Sequence, residues 1–180
     1  GIISLAGTVL VYFKFESIFN IKYGLVSPSN GTVYQFSDKN EFVEFVFITG
    51  IVVLVLALFS GFYFTYRKSI KKGLKLSGIA TKLVLINLAI PLVSGGLLIL
   101  VLAYHHLFYL LAPITLIFYG LALVNASKYT LGDIRYLGLL EIILGLTAAI
   151  WIGYSLFFWA IGFGILHIVY GISMYLKYDR

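Results

Sequence analysis

Residues 83–127 read LVLINLAIPLVSGGLLILVLAYHHLFYLLAPITLIFYGLALVNAS, 45 consecutive positions without a charged side chain, between Lys82 and Lys128. As one helix the run would be roughly 68 Å long at 1.5 Å per residue. The hydrocarbon core of a bilayer is only about 30 Å thick. The run must therefore double back, and its most polar point is Tyr104-His105-His106. Two further runs fit the same ruler. Phe45 to Tyr66, between Glu44 and Arg67, is long enough for one crossing. Ile142 to Leu176 needs a hairpin that turns near Gly153-Tyr154-Ser155, and its apolar pattern starts at Tyr136, before Glu141. With Gly1 to Phe13 added, the sequence predicts spans at about 1–13, 44–66, 80–103, 107–126, 136–153 and 156–176.

Composition carries the same message. Of 180 residues, 61% are hydrophobic, 17% aromatic and 11% charged, with a mean hydropathy of +1.02. Soluble domains are about 45–50% apolar and about 25% charged, and a chain this small has too little interior to hide the excess. A soluble enzyme, a nucleic-acid-binding domain and a disordered chain are all disfavoured. The absence of cysteine removes disulfides, thiol redox chemistry and thiolate metal sites.

Lysine and arginine set the orientation. Cytoplasmic loops collect them, and the loop after the second span holds Arg67, Lys68, Lys71, Lys72 and Lys75. Placing that loop inside puts ten of the 13 basic residues in the cytoplasm, with both termini there and only Lys14, Lys22 and Lys39 outside. The cluster Arg67 to Lys75 reads first as a topology anchor and second as a contact for anionic lipid head groups. Trp151, Tyr154, Phe157 and Trp159 mark an outer aromatic belt, and Tyr129, Tyr136 and Tyr175 an inner one. The extracytoplasmic segment 14–43 has β-prone runs, Ile21–Val26 and Thr32–Phe36, on either side of Asn30-Gly31, which predicts a small β-hairpin or ordered loop.

The last four spans look duplicated. Leu107-Phe108-Tyr109 and Leu156-Phe157-Phe158 follow tight turns, Tyr119-Gly120 and Tyr170-Gly171 recur further on, and both halves end in Lys-Tyr. Short helical hairpins with glycine in the second helix, from Leu144-Gly145-Leu146 through Tyr170-Gly171-Ile172-Ser173, resemble the repeat of HdeD-like bacterial membrane proteins. The resemblance covers residues 85–176. It implies six inner-membrane helices and a role in acid or envelope stress, and it supplies no catalytic motif. The long outer segment and the strongly basic inner loop depart from that family.

Polar side chains at bilayer depth are expensive, which makes each one a candidate site. Glu141 lies about 9 Å into the fifth span and His167 about 14 Å from the inner end of the sixth, by helical rise. Helical spacing puts Gly138, Glu141, Gly145, Ala149 and Gly153 on one stripe, and Gly164, His167 and Gly171 on another. Small residues let helix backbones approach, so Glu141 and His167 are expected to face each other or a shared cavity, not lipid. In one reading Glu141 clamps helices by bonding His167, Tyr119 or Tyr170. In the other the pair relays protons or binds a cation. The clamp is preferred, because transporters usually carry several ionisable groups along a path.

Asn87, Pro91, Ser94 and Gly95 share a face of the third span, where Pro91 should free a backbone carbonyl for Ser94 or a neighbour to satisfy. Pro113 is expected to loosen the start of the fourth span. His105 and His106 are adjacent in an outer turn and lack the further ligands a metal needs. No hydrolase, metalloprotease or nucleotide-binding signature occurs, and neither a cofactor nor a metal is expected.

The sequence thus predicts an all-α integral membrane protein of a bacterial inner membrane. It would be a six-helix bundle of hairpins with a small outer β-hairpin or loop. Its expected role is non-enzymatic: an accessory or envelope-stress protein that packs against itself or a larger membrane complex. Membrane lipids are its expected surroundings and nucleic acid is not a partner. The alternative is a small transporter or channel for protons or a small solute, using Glu141, His167 and Asn87.

Overall fold

The computed structural model describes residues 1–24, 78–130 and 132–178, together with Phe45, Ile48–Val53, Val55, Leu56, Phe59 and Tyr63. Everything in regular structure among these residues is helical. The basic cluster Arg67 to Lys75 and most of the expected β-hairpin lie outside the described residues.

Helix α1 runs Ile2–Gly24, 23 residues. It continues past Lys14 and Glu16, beyond the expected span 1–13, and it corrects one expectation: Ile21 to Gly24 are helical, not the start of a strand. The physical reason is plain: a charge ends a membrane crossing, not a helix, and no Pro or Gly interrupts the chain from Thr8 to Tyr23. The apolar part of α1, Ile2–Lys14, is shorter than a full crossing. Against α1 lie helical residues of the 45–63 segment. Gly7 meets Val53, Val11 and Val53 are buried, and the Lys14 ammonium sits 5.8 Å above the Phe45 ring.

Helix α2, Ile79–Tyr104, has 26 residues and contains Pro91. Its end is built by backbone hydrogen bonds. The Leu107 N–H donates to Leu102 O at 2.9 Å and the His106 N–H to Ala103 O at 3.0 Å. His106 adopts the left-handed φ of 59°. That pairing is the Schellman arrangement, in which a left-handed residue just past the helix satisfies its last carbonyls. The chain reverses there into a 3-10 turn, Phe108–Leu110, and helix α3, Leu111–Ala126. Pro113 is buried within the first turn of α3, where a missing N–H is tolerated and φ is already helical. It does not loosen the helix start.

A second 3-10 turn, Ser127–Tyr129, leads to helix α4, Ile134–Ile150, and a third, Ile152–Tyr154, follows it. The final rod begins as α5, Ser155–Trp159, widens into a π-helical segment, Ala160–Leu166, and resumes as α6, His167–Tyr178. Among the described residues three stretches are long and apolar enough to cross a membrane: Thr81–Tyr104, Phe108–Tyr129 and Ser155–Lys177, with mean hydropathies of 2.4, 1.8 and 1.8. Helix α4 is shorter, at 17 residues, or about 26 Å.

The closest packing is between α3 and α4. A β-carbon at Gly120 would lie 2.5 Å from the Gly138 carbonyl oxygen, and one at Gly138 would lie 2.7 Å from that of Gly120. At Gly145 it would meet the Pro113 carbonyl at 2.9 Å. These glycines bring the two backbones into direct contact. Leu116, Ala122, Leu123, Ala126, Leu137 and Ala148 are buried on these two helices. The ends are tied as well, since Lys177 Nζ donates to Asp133 Oδ2 at 2.7 Å and joins the end of α6 to the start of α4.

Three expected packing positions differ. Gly153 is exposed, with open space around it, because α4 ends at Ile150 and leaves it in the 3-10 turn. Ala149 is half-buried, and Ala148 takes the fully buried place. Gly171 is exposed with no described neighbour within reach. Gly164 does pack closely, against Leu5 of α1.

Candidate functional site

Glu141 sits midway along α4, and its side chain is 0% exposed. Gly138 and Gly145 lie one turn before and after it on the buried face, where they let α3 approach. From the other side comes the π-helical segment. A β-carbon at Gly162 would fall 2.5 Å from Glu141 Oε2 and 2.6 Å from Leu116 Cδ2. The carboxyl group thus lies between the Gly162 backbone and Leu116, and a side chain at position 162 would have to displace it.

His167 opens α6 where the π segment ends. Its Nδ1 lies 2.9 Å from Gly162 O and 3.4 Å from Glu141 Oε1, and its Nε2 lies 2.8 Å from the Tyr119 hydroxyl. Its backbone N–H goes to Gly164 O. These distances fix the tautomer. A carbonyl oxygen only accepts, so Nδ1 carries the hydrogen and donates to Gly162 O, and Nε2 is left to accept from Tyr119 O–H. At 3.4 Å the approach to Glu141 exceeds an ordinary N–H···O hydrogen bond. Among the described residues neither oxygen of Glu141 has a hydrogen-bond partner.

Aromatic rings wall the cluster. Phe163 stacks on His167 with centroids 5.8 Å apart, and Tyr119 lies 5.0 Å from Phe163 and 5.4 Å from His167. Tyr170 is half-buried within electrostatic reach of Tyr119. A π-helical turn is rare and recurs at functional sites. Here it places Gly162, Phe163 and His167 around one carboxyl group.

Asn87 does not join this cluster. Its Nδ2 donates to Leu83 O at 2.8 Å, one turn back on α2. Its own backbone carbonyl is the one that Pro91, four residues on, leaves without a helical donor. Asn125 of α3 takes that place, with Nδ2 donating to Asn87 O at 3.1 Å. Ser94, the residue expected to do so, bonds Ile90 O instead. Gly95 is buried against Phe118 of α3. This face of α2 is therefore a polar clamp between α2 and α3, separate from Glu141.

His105 and His106 are exposed at the α2–α3 turn, edge-on to Tyr104 and Phe108 respectively. Among the described residues no three His, Cys, Asp or Glu side chains group as metal ligands. Reading the sequence alone missed Gly162, Phe163, Gly120 and Asn125. Phe163 stands four residues before His167 and so shares its helical face, a signal that was present; the π turn that aims Gly162 has no sequence signature of its own.

No family model, curated protein or solved structure matches the chain.

Proposed function

We propose that the protein is a non-enzymatic, multi-pass protein of a bacterial inner membrane, with both termini cytoplasmic. It works as an accessory or envelope-stress component that packs against copies of itself or against a larger membrane complex. The likeness of its helical hairpins to HdeD-like proteins points the same way.

One observation carries this reading over a transport role. Six hydroxyl and amide side chains along the described helices are tied to backbone carbonyls three or four residues before them. Thr8 donates to Ser4 O, Asn87 to Leu83 O, Ser94 to Ile90 O, Thr115 to Ala112 O, Ser127 to Val124 O and Thr147 to Ile143 O. A conduit for ions or polar solutes needs successive polar groups turned toward one path. Groups satisfied within their own turn instead let a helix sit in lipid or against another apolar helix. Helix α2 offers such a surface, exposing Leu85, Ile86, Ile90, Val93, Leu97 and Leu100. A transport reading is favoured by one feature, the buried carboxyl group of Glu141.

Purification from native membranes in mild detergent tests the choice, combined with flux assays in liposomes. The accessory reading expects a stoichiometric partner or a stable homo-oligomer, and no proton or solute flux above protein-free vesicles. Flux that disappears in Glu141→Gln would replace it with transport.

A further inference from the structure

The Glu141 carboxyl group is enclosed on every side the structure describes, and no donor reaches either oxygen. An isolated carboxylate in such surroundings is penalised so heavily that proteins neutralise it instead. The neighbouring groups are limited in what they can offer. From α3 comes Tyr119, which donates to His167; from α6 come His167 itself and Tyr170. His167, as placed, has both nitrogens engaged by neutral partners.

We infer that Glu141 and His167 form a proton-binding site inside the helical bundle, holding one exchangeable proton between them. In the arrangement described the proton is on Glu141, and the pair is a neutral acid beside a neutral imidazole. In the second arrangement the Glu141 O–H bond is broken and the proton is bound by the lone pair of Nε2, which no longer accepts from Tyr119. The carboxylate then faces an imidazolium. Nδ1–H, already 3.4 Å from Oε1, is shared between that oxygen and Gly162 O, and the Tyr119 hydroxyl turns from donor to acceptor. Electrons and charge balance within the pair, since one O–H bond is exchanged for one N–H bond and the net charge stays zero. Gain or loss of a proton by the pair as a whole changes the charge trapped between α4 and the π segment, which ties their packing to proton activity. The inference rests on the proposed membrane setting, because hydrocarbon around the bundle keeps water from solvating the carboxylate.

Infrared difference spectroscopy in lipid nanodiscs tests it over a titration from acid to alkaline buffer. The expected result is a carboxylic-acid C=O band that shifts in heavy water, is missing in Glu141→Gln, and is lost in alkali together with a change in histidine ring modes. In Tyr119→Phe the acid band should gain intensity at the expense of histidinium modes at a fixed pH, because Nε2–H loses its acceptor and the proton stays on Glu141. If Glu141→Gln does not fold, carboxyl-labelled glutamate in the unmodified protein serves instead, since the chain has only Glu16, Glu41, Glu44 and Glu141 and the acid band must move with the isotope. Glutamate bands of carboxylate form alone at every pH, or histidine modes indifferent to Glu141→Gln, would overturn the inference. A missing acid band in a protein that still co-purifies with a partner defeats this site alone, whereas Glu141-dependent flux with the band present defeats the accessory role alone.

Discussion

Replacing Asn125 with alanine should weaken the protein through Pro91, a residue on a different helix. Asn125 Nδ2 donates to the Asn87 carbonyl at 3.1 Å, and Pro91 has no N–H to offer that carbonyl from its own helix. Leaving a buried carbonyl unmade costs about 1–3 kcal/mol. Hydrogen bonds between membrane helices average about 0.6 kcal/mol and reach about 1.7. The Asn125 side chain is half-buried, so the lower range applies, and about 1 kcal/mol is expected, or roughly a fivefold change in the folded-to-unfolded ratio. In a Pro91→Ala background residue 91 can donate to the Asn87 carbonyl, and Asn125→Ala should then cost about 0.3 kcal/mol or less on the same scale. The assay is a double-mutant cycle read by reversible unfolding in bicelles. Equal losses from Asn125→Ala in both backgrounds would refute the claim that the proline and the asparagine are coupled through one carbonyl.

Gly120→Ala should destabilise by about 1–3 kcal/mol, because its β-carbon would lie 2.5 Å from the Gly138 carbonyl and push α3 from α4. Gly171→Ala, with open space at the same point, should be neutral or slightly stabilising by helix propensity; thermal unfolding of the two variants side by side checks the contrast. Lys177→Ala should cost less than about 1 kcal/mol and lose that effect in high salt, since the lysine of the Asp133 pair is about half exposed. A salt-independent loss in denaturant titrations would show that the pair is shielded from water.

Much of the helical layout was legible because charge-free length is a strong constraint. The run 83–127 cannot be one helix in a bilayer, and the structure reverses it at His105–His106, the most polar point in it. The Glu141–His167 approach was legible for a similar reason: two costly groups at matching depth on glycine-lined faces had few places to go. What the sequence concealed was local backbone geometry. Nothing in Ala160 to Leu166 announces a π turn, yet that turn brings the Gly162 carbonyl to His167. The role of Asn125 was hidden because it depends on a proline 34 positions earlier on another helix. Ile21 to Gly24 were misread as the start of a strand because their β-prone side chains hid that no Pro or Gly interrupts the helix from Thr8 to Tyr23.

Accessibility of single cysteines tests the central claim, that these hairpins cross a membrane with their turns on alternate sides. The chain has no cysteine of its own, so Tyr104→Cys, Gly153→Cys and Lys128→Cys each report one turn against no background. With a membrane-impermeant maleimide on intact cells, positions 104 and 153 should react, and position 128 only after permeabilisation. Equal labelling of position 128 in intact and permeabilised cells would contradict the account.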